Sequence, residues 1–240
     1  MLNYSTTILN IVLAIVAKVV FLIRSIKASG KEISLHISRE NKKLKPNSAT
    51  AFIIWNLPSV FTCPFRTIHC LLSCYARKAE NAYPQVLPSR TENYLMSLLP
   101  NFVELMTDEI LRIAKGTKKP IIIVRVHESG DFYNQKYADK WLQIMENCLV
   151  DKRIRFIAYT KSFPYFDGKK LPSNFSLRAS IWDDTSEEQK AIVKRNGWPI
   201  YTAVKKFSAK DLFHQCRCSD CATCAKCWDY MVKDIRCEIH

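Results

Sequence analysis

The sequence predicts an α/β fold. The expected core is a partial (β/α) barrel-like sheet of about five to six mainly parallel strands, preceded by an N-terminal hydrophobic helix and followed by a Cys-rich segment. Three observations predict it. From residue 49 onward, short apolar runs rich in β-branched and aromatic residues alternate with helical periods. Those runs are continuously apolar, as strands covered on both faces are. Their regular alternation with helices is the signature of βαβ units. A series of this size forms either an open doubly wound sheet or a partial barrel, and both place ligand groups at the carboxyl ends of strands.

The N-terminal run "ILNIVLAIVAKVVFLIRSIK" is the candidate for membrane contact. Its apolar core, Ile8 to Ile23, falls short of the ~20 residues that span a bilayer and carries Lys18 in the middle. It also lacks the positive start of a secretory signal. Residues 1–30 therefore read first as a peripheral helix or extension and second as a single anchor, and if the segment inserted, Arg24, Lys27 and Lys31 would hold the following domain in the cytoplasm. Residues 31–48 are polar and basic and read as a linker.

Strands are expected at 49–55 ("ATAFIIW"), 120–126 ("PIIIVRV"), 154–160 ("IRFIAYT"), 175–182 ("FSLRASIW") and 199–204 ("PIYTAV"). Helices fit between them at about 74–82, 90–115, 134–149 and 184–196. In the third, Tyr137, Trp141, Ile144, Met145 and Cys148 recur at three- and four-residue steps, one stripe for the sheet. The last begins at "DDTSEEQ", where Asp184 or Thr185 can cap the exposed amides. The α/β core then covers 49–207, and 208–240 forms the Cys-rich segment.

Composition narrows the function. The formal charge of +14, from 36 basic and 22 acidic residues, favours a polyanionic partner such as nucleic acid, an anionic membrane surface or a phosphorylated small molecule. The basic residues are spread along the chain, which reads first as solvated helix ends and loops. Only five glycines occur, and GxGxxG and P-loop patterns are absent, so dinucleotide and P-loop readings lose their main support. Neither HExxH nor GxSxG occurs.

Ten cysteines carry the chemistry. Cys148 lies in an apolar run and reads as a core thiol; most of the others fall into two tight groups, which favours metal over a disulfide framework. In "CRCSDCATCAKCW", Cys218, Cys221, Cys224 and Cys227 are each two residues apart, with Cys216 ahead and Cys237 beyond. Zinc ribbons need two knuckles about 15–20 residues apart, whereas successive CxxCxxC wraps an iron–sulfur cube. The expected ligands are Cys221, Cys224 and Cys227, with Cys216, Cys218 or Cys237 as the fourth; zinc with His214 is the alternative.

Cys63, Cys70 and Cys74 follow the first strand in CX6CX3C spacing with no fourth cysteine nearby. A closed structural zinc site wants four protein ligands, and only His69 would complete one. A 4Fe–4S cube on three thiolates leaves one iron open, as an enzyme needs. In "RVHESGDFY", His127, Glu128 and Asp131 cluster as candidate cofactor-binding residues at a strand-to-helix loop where Gly130 allows close backbone approach. Asp131 or Ser129 would also serve simply to cap the next helix.

The loop after the first strand resembles that of radical S-adenosylmethionine enzymes, whose three cysteines are usually spaced CX3CX2C with an aromatic residue before the last. Here the spacing is longer and Tyr75 follows the last cysteine. A more specific likeness covers roughly residues 44–228: "KPNSATAF", "TCP", "CYARKAE", "YPQVLPSRTENY", "RVHESGDFYNQKYADKW", "AYTKS" and the tail with "CW" resemble a phage and plasmid family known as gene product 88. The radical-enzyme resemblance implies two 4Fe–4S clusters, S-adenosylmethionine as small-molecule cofactor and an electron donor protein. It implies that Glu128 or Asp131 meets the methionine amino group and Arg125 its carboxylate. It also implies that strand-end residues, among them Lys161, Arg178 and Ser180, contact the cofactor's ribose and carboxylate, while Tyr94, Phe132 and Tyr133 pack. The competing reading is a nucleic-acid-binding protein in which the metal only holds loops.

Overall fold

A computed structural model describes residues 2–204, 206, 214–216, 220–228 and 232–238. It is a mixed α/β structure around one mostly parallel sheet. The chain opens with α1 (Leu2–Ser29), followed by β1 (Ile37–Ser38) and β2 (Thr50–Trp55). After β2 come α2 (Ile68–Leu72), α3 (Tyr75–Ala82), α4 (Val86–Leu98) and α5 (Phe102–Lys115). Then β3 (Ile121–Val126), α6 (Gln135–Asn147), β4 (Ile154–Thr160), β5 (Phe175–Ile181), α7 (Glu187–Asn196) and β6 (Ile200–Val204) complete the alternating core. The C-terminal segment contributes β7 (His214–Cys216), α8 (Cys221–Cys224) and β8 (Ile235–Glu238).

The eight strands run in the order β1-β2-β3-β4-β5-β6-β8-β7. β1 pairs antiparallel with β2, and every other neighbouring pair is parallel. The central strands β2 to β6 lie side by side in sequence order, so there is no switch point at which the order reverses. The helices that connect these strands therefore pack on one face. Ile53, Trp55, Ile122, Val124, Val126, Phe156 and Ala158 project toward them and meet Phe102, Met106, Ile110, Tyr137, Trp141 and Ile144 in the main core. The alternate residues, Phe52, Ile54, Ile123 and Ile157, face the other way and are covered by Leu44, Ala222 and Trp228. That second, inner face carries the candidate chemistry.

The five predicted core strands form within a residue of their expected bounds. The expected helix 90–115 is two helices. Pro100 cannot continue a helix and pushes Leu99 into extended backbone, at φ −61° and ψ 144°, so α4 stops there. The cap of α7 is Ser186, whose side chain accepts from the Gln189 amide at 3.3 Å, not Asp184 or Thr185. Residues 31–48 are packed rather than free. Ile33, Leu35 and Ile37 touch the main core, and β1 extends the sheet. At the N-terminus, Thr6–Ser29 forms a continuous helical stretch of 24 residues whose most apolar 18-residue window has mean hydropathy 2.4, long and apolar enough to cross a membrane. The helix outlasts the apolar run because Arg24 to Ser29, though polar, are good enough helix formers to continue it.

Candidate functional site

Cys63, Cys70 and Cys74 come from the carboxyl end of β2. Cys63 sits in the loop, Cys70 in α2, and Cys74 at the N-cap of α3. All three are partly exposed. The loop that carries them is built by a dense set of polar braces. The Asn56 side-chain oxygen accepts the amides of Glu128 and Ser129, both at 2.9 Å, and the Leu57 amide bonds the Ser129 carbonyl at 2.9 Å. Glu80, three-residue-stepped along α3 from Arg77 in "CYARKAE", accepts from the Ser59 amide at 2.8 Å and the Ser59 hydroxyl at 2.6 Å, and pairs with Arg90 at 2.8 Å. Asn93 of "RTENY" donates to the carbonyls of Asn56 and His36, each at 2.9 Å.

Gly130 explains why the two loops fit. With φ +79°, it already occupies the left-handed region, and a Cβ there would lie 2.6 Å from both Leu57 Cβ and Thr62 Oγ1. The loop also holds Val60 at φ +64°, an unfavourable conformation for a β-branched residue, with its carbonyl accepting the Cys63 amide at 3.2 Å. Strain of this kind persists where the surroundings over-determine the backbone.

The thiols lie in one another's electrostatic field. Burial, with Asp131 and Cys70 nearby, pushes the Cys63 thiol well up. Burial raises Cys70 to about 11, against the pull of Lys161. Burial also depresses Lys161 to about 8, opposed by Cys70, Asp131 and Asp184. Its ammonium donates to the Ser180 carbonyl at 3.1 Å and stands 5.1 Å over the Trp182 ring. Lys161 is thus a strand-end cation that the fold places near Cys70 and Cys63. On the outer rim, the His69 ring meets Asp183 at 2.6 Å and its amide meets Asp184 at 2.8 Å, tying α2 to the loop after β5.

The residues of "HESGDFY" divide. Asp131 is buried, and its two oxygens accept from the Thr160 hydroxyl at 2.5 Å and from the amides of Phe132, Lys161 and Ser162 at 2.8, 2.9 and 3.2 Å. Burial raises its carboxyl, partly offset by these donors. It clamps the loops after β3 and β4 beside the thiols. Glu128 is partly exposed; one oxygen accepts from Asn41 at 2.6 Å, and its carbonyl accepts from the Tyr75 hydroxyl. His127 goes elsewhere. At φ +63° it turns into the helix-side core, bonds the Tyr137 hydroxyl at 2.9 Å and is ringed by Phe132, Tyr137 and Trp141. Burial and Arg125 hold it neutral, with a pKa near 3. The expected cofactor role of His127 does not suit this placement, because the ring faces away from the thiols.

The second cysteine group covers the inner face. The strand register sets Cys216 directly beside Cys237. Cys237 and Cys227 both act on the Cys216 thiol, pushing it up along with burial, while Cys221, raised to about 11 by burial first, also feels Cys227 and Cys224. The Cys224 sulfur is 4.0 Å from His214 Nε2. Cys237, named in the sequence reading only as one of three fourth ligands, is thus brought into the group by β8. Cys218 lies outside the described residues.

Arg178 has a different task from the one expected. It is fully buried, and its Nε donates to the Cys227 carbonyl while the terminal nitrogens reach the carbonyls of Lys226 at 3.1 Å, Val232 at 3.0 Å and Lys233 at 3.2 Å. It anchors the C-terminal segment to the sheet, a commitment that leaves little of its fork for a cofactor. Ser180 offers its backbone carbonyl to Lys161. Sequence reasoning missed Asn41, Asn56, Glu80, Arg90 and Asn93, although Glu80, Arg90 and Asn93 stand in quoted motifs; their partners are 10 to 57 residues away.

The donor chemistry bears on metal. Among the described residues, the ligand atoms of His69, Asp183 and Asp184 lie within 4.8 Å of one another, and neither cysteine group closes to that range. Crowded, half-buried thiols gain from a cation that offsets their charge.

Comparison with known proteins supplies the family. A model of the family described as Gene product 88 matches residues 35–230. The "Gene 88 protein" of Mycobacterium phage D29 is 30% identical over 132 residues, which cover 52% of this chain. The chain spans about half the length of that curated relative, 53%. No solved structure matches. With its family match running from β1 past Cys227, the chain belongs to the gene product 88 family.

Proposed function

We propose that this protein is an iron–sulfur-dependent, radical S-adenosylmethionine-like enzyme. One observation carries the reading: three thiols, with no fourth cysteine beside them among the described residues, converge at the carboxyl ends of parallel strands next to Lys161. Cys63, Cys70 and Cys74 would hold a 4Fe–4S cluster with one open iron. The second group would hold another through Cys221, Cys224 and Cys227 with Cys216 or Cys237. The sequential strand order with helices on one face favours a partial barrel with the inner face as its interior. When bound, the open cluster would supply one electron to the sulfonium of S-adenosylmethionine.

The chain's own residues supply the setting. Lys161 offsets negative charge at the thiols, Asp131 fixes the loop that bears Lys161, and Glu128 presents a carboxylate oxygen toward the cofactor's amino group. Asn56, Glu80 and Gly130 hold the cysteine loop at fixed spacing. An electron donor protein would dock at the exposed rim around α2, and α1 would associate with the membrane, its basic end on the cytoplasmic side.

Iron, zinc and acid-labile sulfide in oxygen-free protein test the reading. Iron and sulfide for two cubes, halved in the Cys63, Cys70, Cys74 triple alanine variant, is the expected result. Zinc without sulfide would end it. The charge of +14 favours a second reading, a metal-structured nucleic-acid-binding protein. That reading predicts binding that weakens steeply with salt and survives the triple substitution.

A further inference from the structure

Arg125 is a partly buried cation whose Nε finds no hydrogen-bond acceptor among the described residues. It stands on β3 among the residues facing the inner side of the sheet, beside Ile54 on one neighbour and Ile157 on the other. Its guanidinium carbon lies over the Tyr159 ring, 3.9 Å from the centroid. Its Nε is sealed from solvent and, among the described residues, meets no hydrogen-bond acceptor. The groups around it are Tyr159, Tyr75, Glu128 and Tyr201. Each is committed elsewhere: Tyr75 donates to the Glu128 carbonyl, Tyr159 meets Cys227, Tyr201 meets Cys237, and a Glu128 oxygen accepts from Asn41 at 2.6 Å. The contrast with Arg178, whose fork is filled by carbonyls, is direct.

An Nε–H sealed from solvent without an acceptor is costly, and the planar fork of a guanidinium matches a carboxylate or phosphate in two parallel hydrogen bonds. Its position is also informative. Tyr75 follows Cys74 of the first group, and Cys221 and Cys227 of the second lie within reach of the Arg125 charge. We infer that Arg125 receives an oxyanion of the substrate, a carboxylate or a phosphate, bound on the inner face between the two cysteine groups. This deepens the reading above by naming a substrate class and rests on the inner face being the reacting face. It does not depend on which metal the cysteines hold.

Binding is read directly from the Arg Nε–H resonances in a 15N-labelled sample of the full chain as isolated, titrated with inorganic phosphate and, separately, acetate. A saturable shift of one Nε–H resonance, absent from Arg125→Lys, assigns the site, and the stronger of the two anions identifies the substrate group. Arg125→Gln is expected to weaken binding at least tenfold, measured by calorimetry. Glu128→Gln removes a nearby negative charge and is expected to tighten binding severalfold, a gain that a purely structural arginine would not produce. No saturable shift, or binding unchanged in both Arg125 variants, overturns the inference. Competition by S-adenosylhomocysteine against acetate would place the cofactor's own carboxylate there and overturn the substrate assignment. Because the readout is anion binding, it fails separately from the iron and sulfide analysis.

Discussion

The two cysteine groups are held by opposite means. The first rests on a network of many loop-to-loop braces. Asn56, Ser59, Glu80, Ser129 and Asp131 tie the loops after β2, β3 and β4 to one another, and the thiols ride on that frame. The second hangs from the sheet by long-range anchors, chiefly the fork of Arg178 and the pairing of β8 with β6 and β7. A frame of many modest bonds tolerates the loss of one. An anchor built on a single buried cation does not, because its removal strands several carbonyls at once.

The largest expected effect therefore comes from Arg178→Met. Two of its charge-assisted bonds, at about 1.5 kcal/mol each, already imply a loss of about 3 kcal/mol in denaturant unfolding. Metal bound by the second group should fall while the first group keeps its own. Equal loss at both sites would break the contrast. Gly130→Ala should do the converse. A methyl forced against Leu57 and Thr62 at φ +79° costs about 2–3 kcal/mol from overpacking and left-handed strain, and the first group alone should lose metal.

A smaller effect separates the helix-side core from both groups. His127 is held neutral in the fold by burial, with its pKa near 3 against about 6.5 when unfolded. Its contribution is complete above pH 6.5 and is lost as pH falls toward 3, because only the unfolded chain takes up the proton freely. Between pH 7.5 and 5.5 this amounts to about 1.4 kcal/mol. His127→Gln should flatten that part of the pH–stability curve, with metal content unchanged at both groups. Deleting residues 1–30 should have the least effect on either group. Full metal content in a variant released from the membrane fraction is expected; loss of metal would show that α1 supports a cysteine loop.

The strands were legible because continuous apolar runs such as "PIIIVRV" leave few alternatives, and the cysteine spacings were legible because ligands close in sequence must share a loop. Pro100 carried the break between α4 and α5 in plain view, yet the apolar period on both sides masked it. Glu80 and Asn93 stood in recognised motifs without revealing their task, since a polar residue on a helix is ordinarily solvated and only its distant partners show otherwise.

By itself, then, the sequence determined the α/β class, the strand positions, the grouping of the cysteines and the apolar N-terminal helix. These follow from local periodicity and spacing. Only the tertiary structure decided that His127 turns into the core, that Arg178 is an anchor, that Cys237 joins the second group and that the Arg125 Nε is left without an acceptor among the described residues. Each depends on which residues from separate strands come to lie side by side, and no local pattern encodes that register.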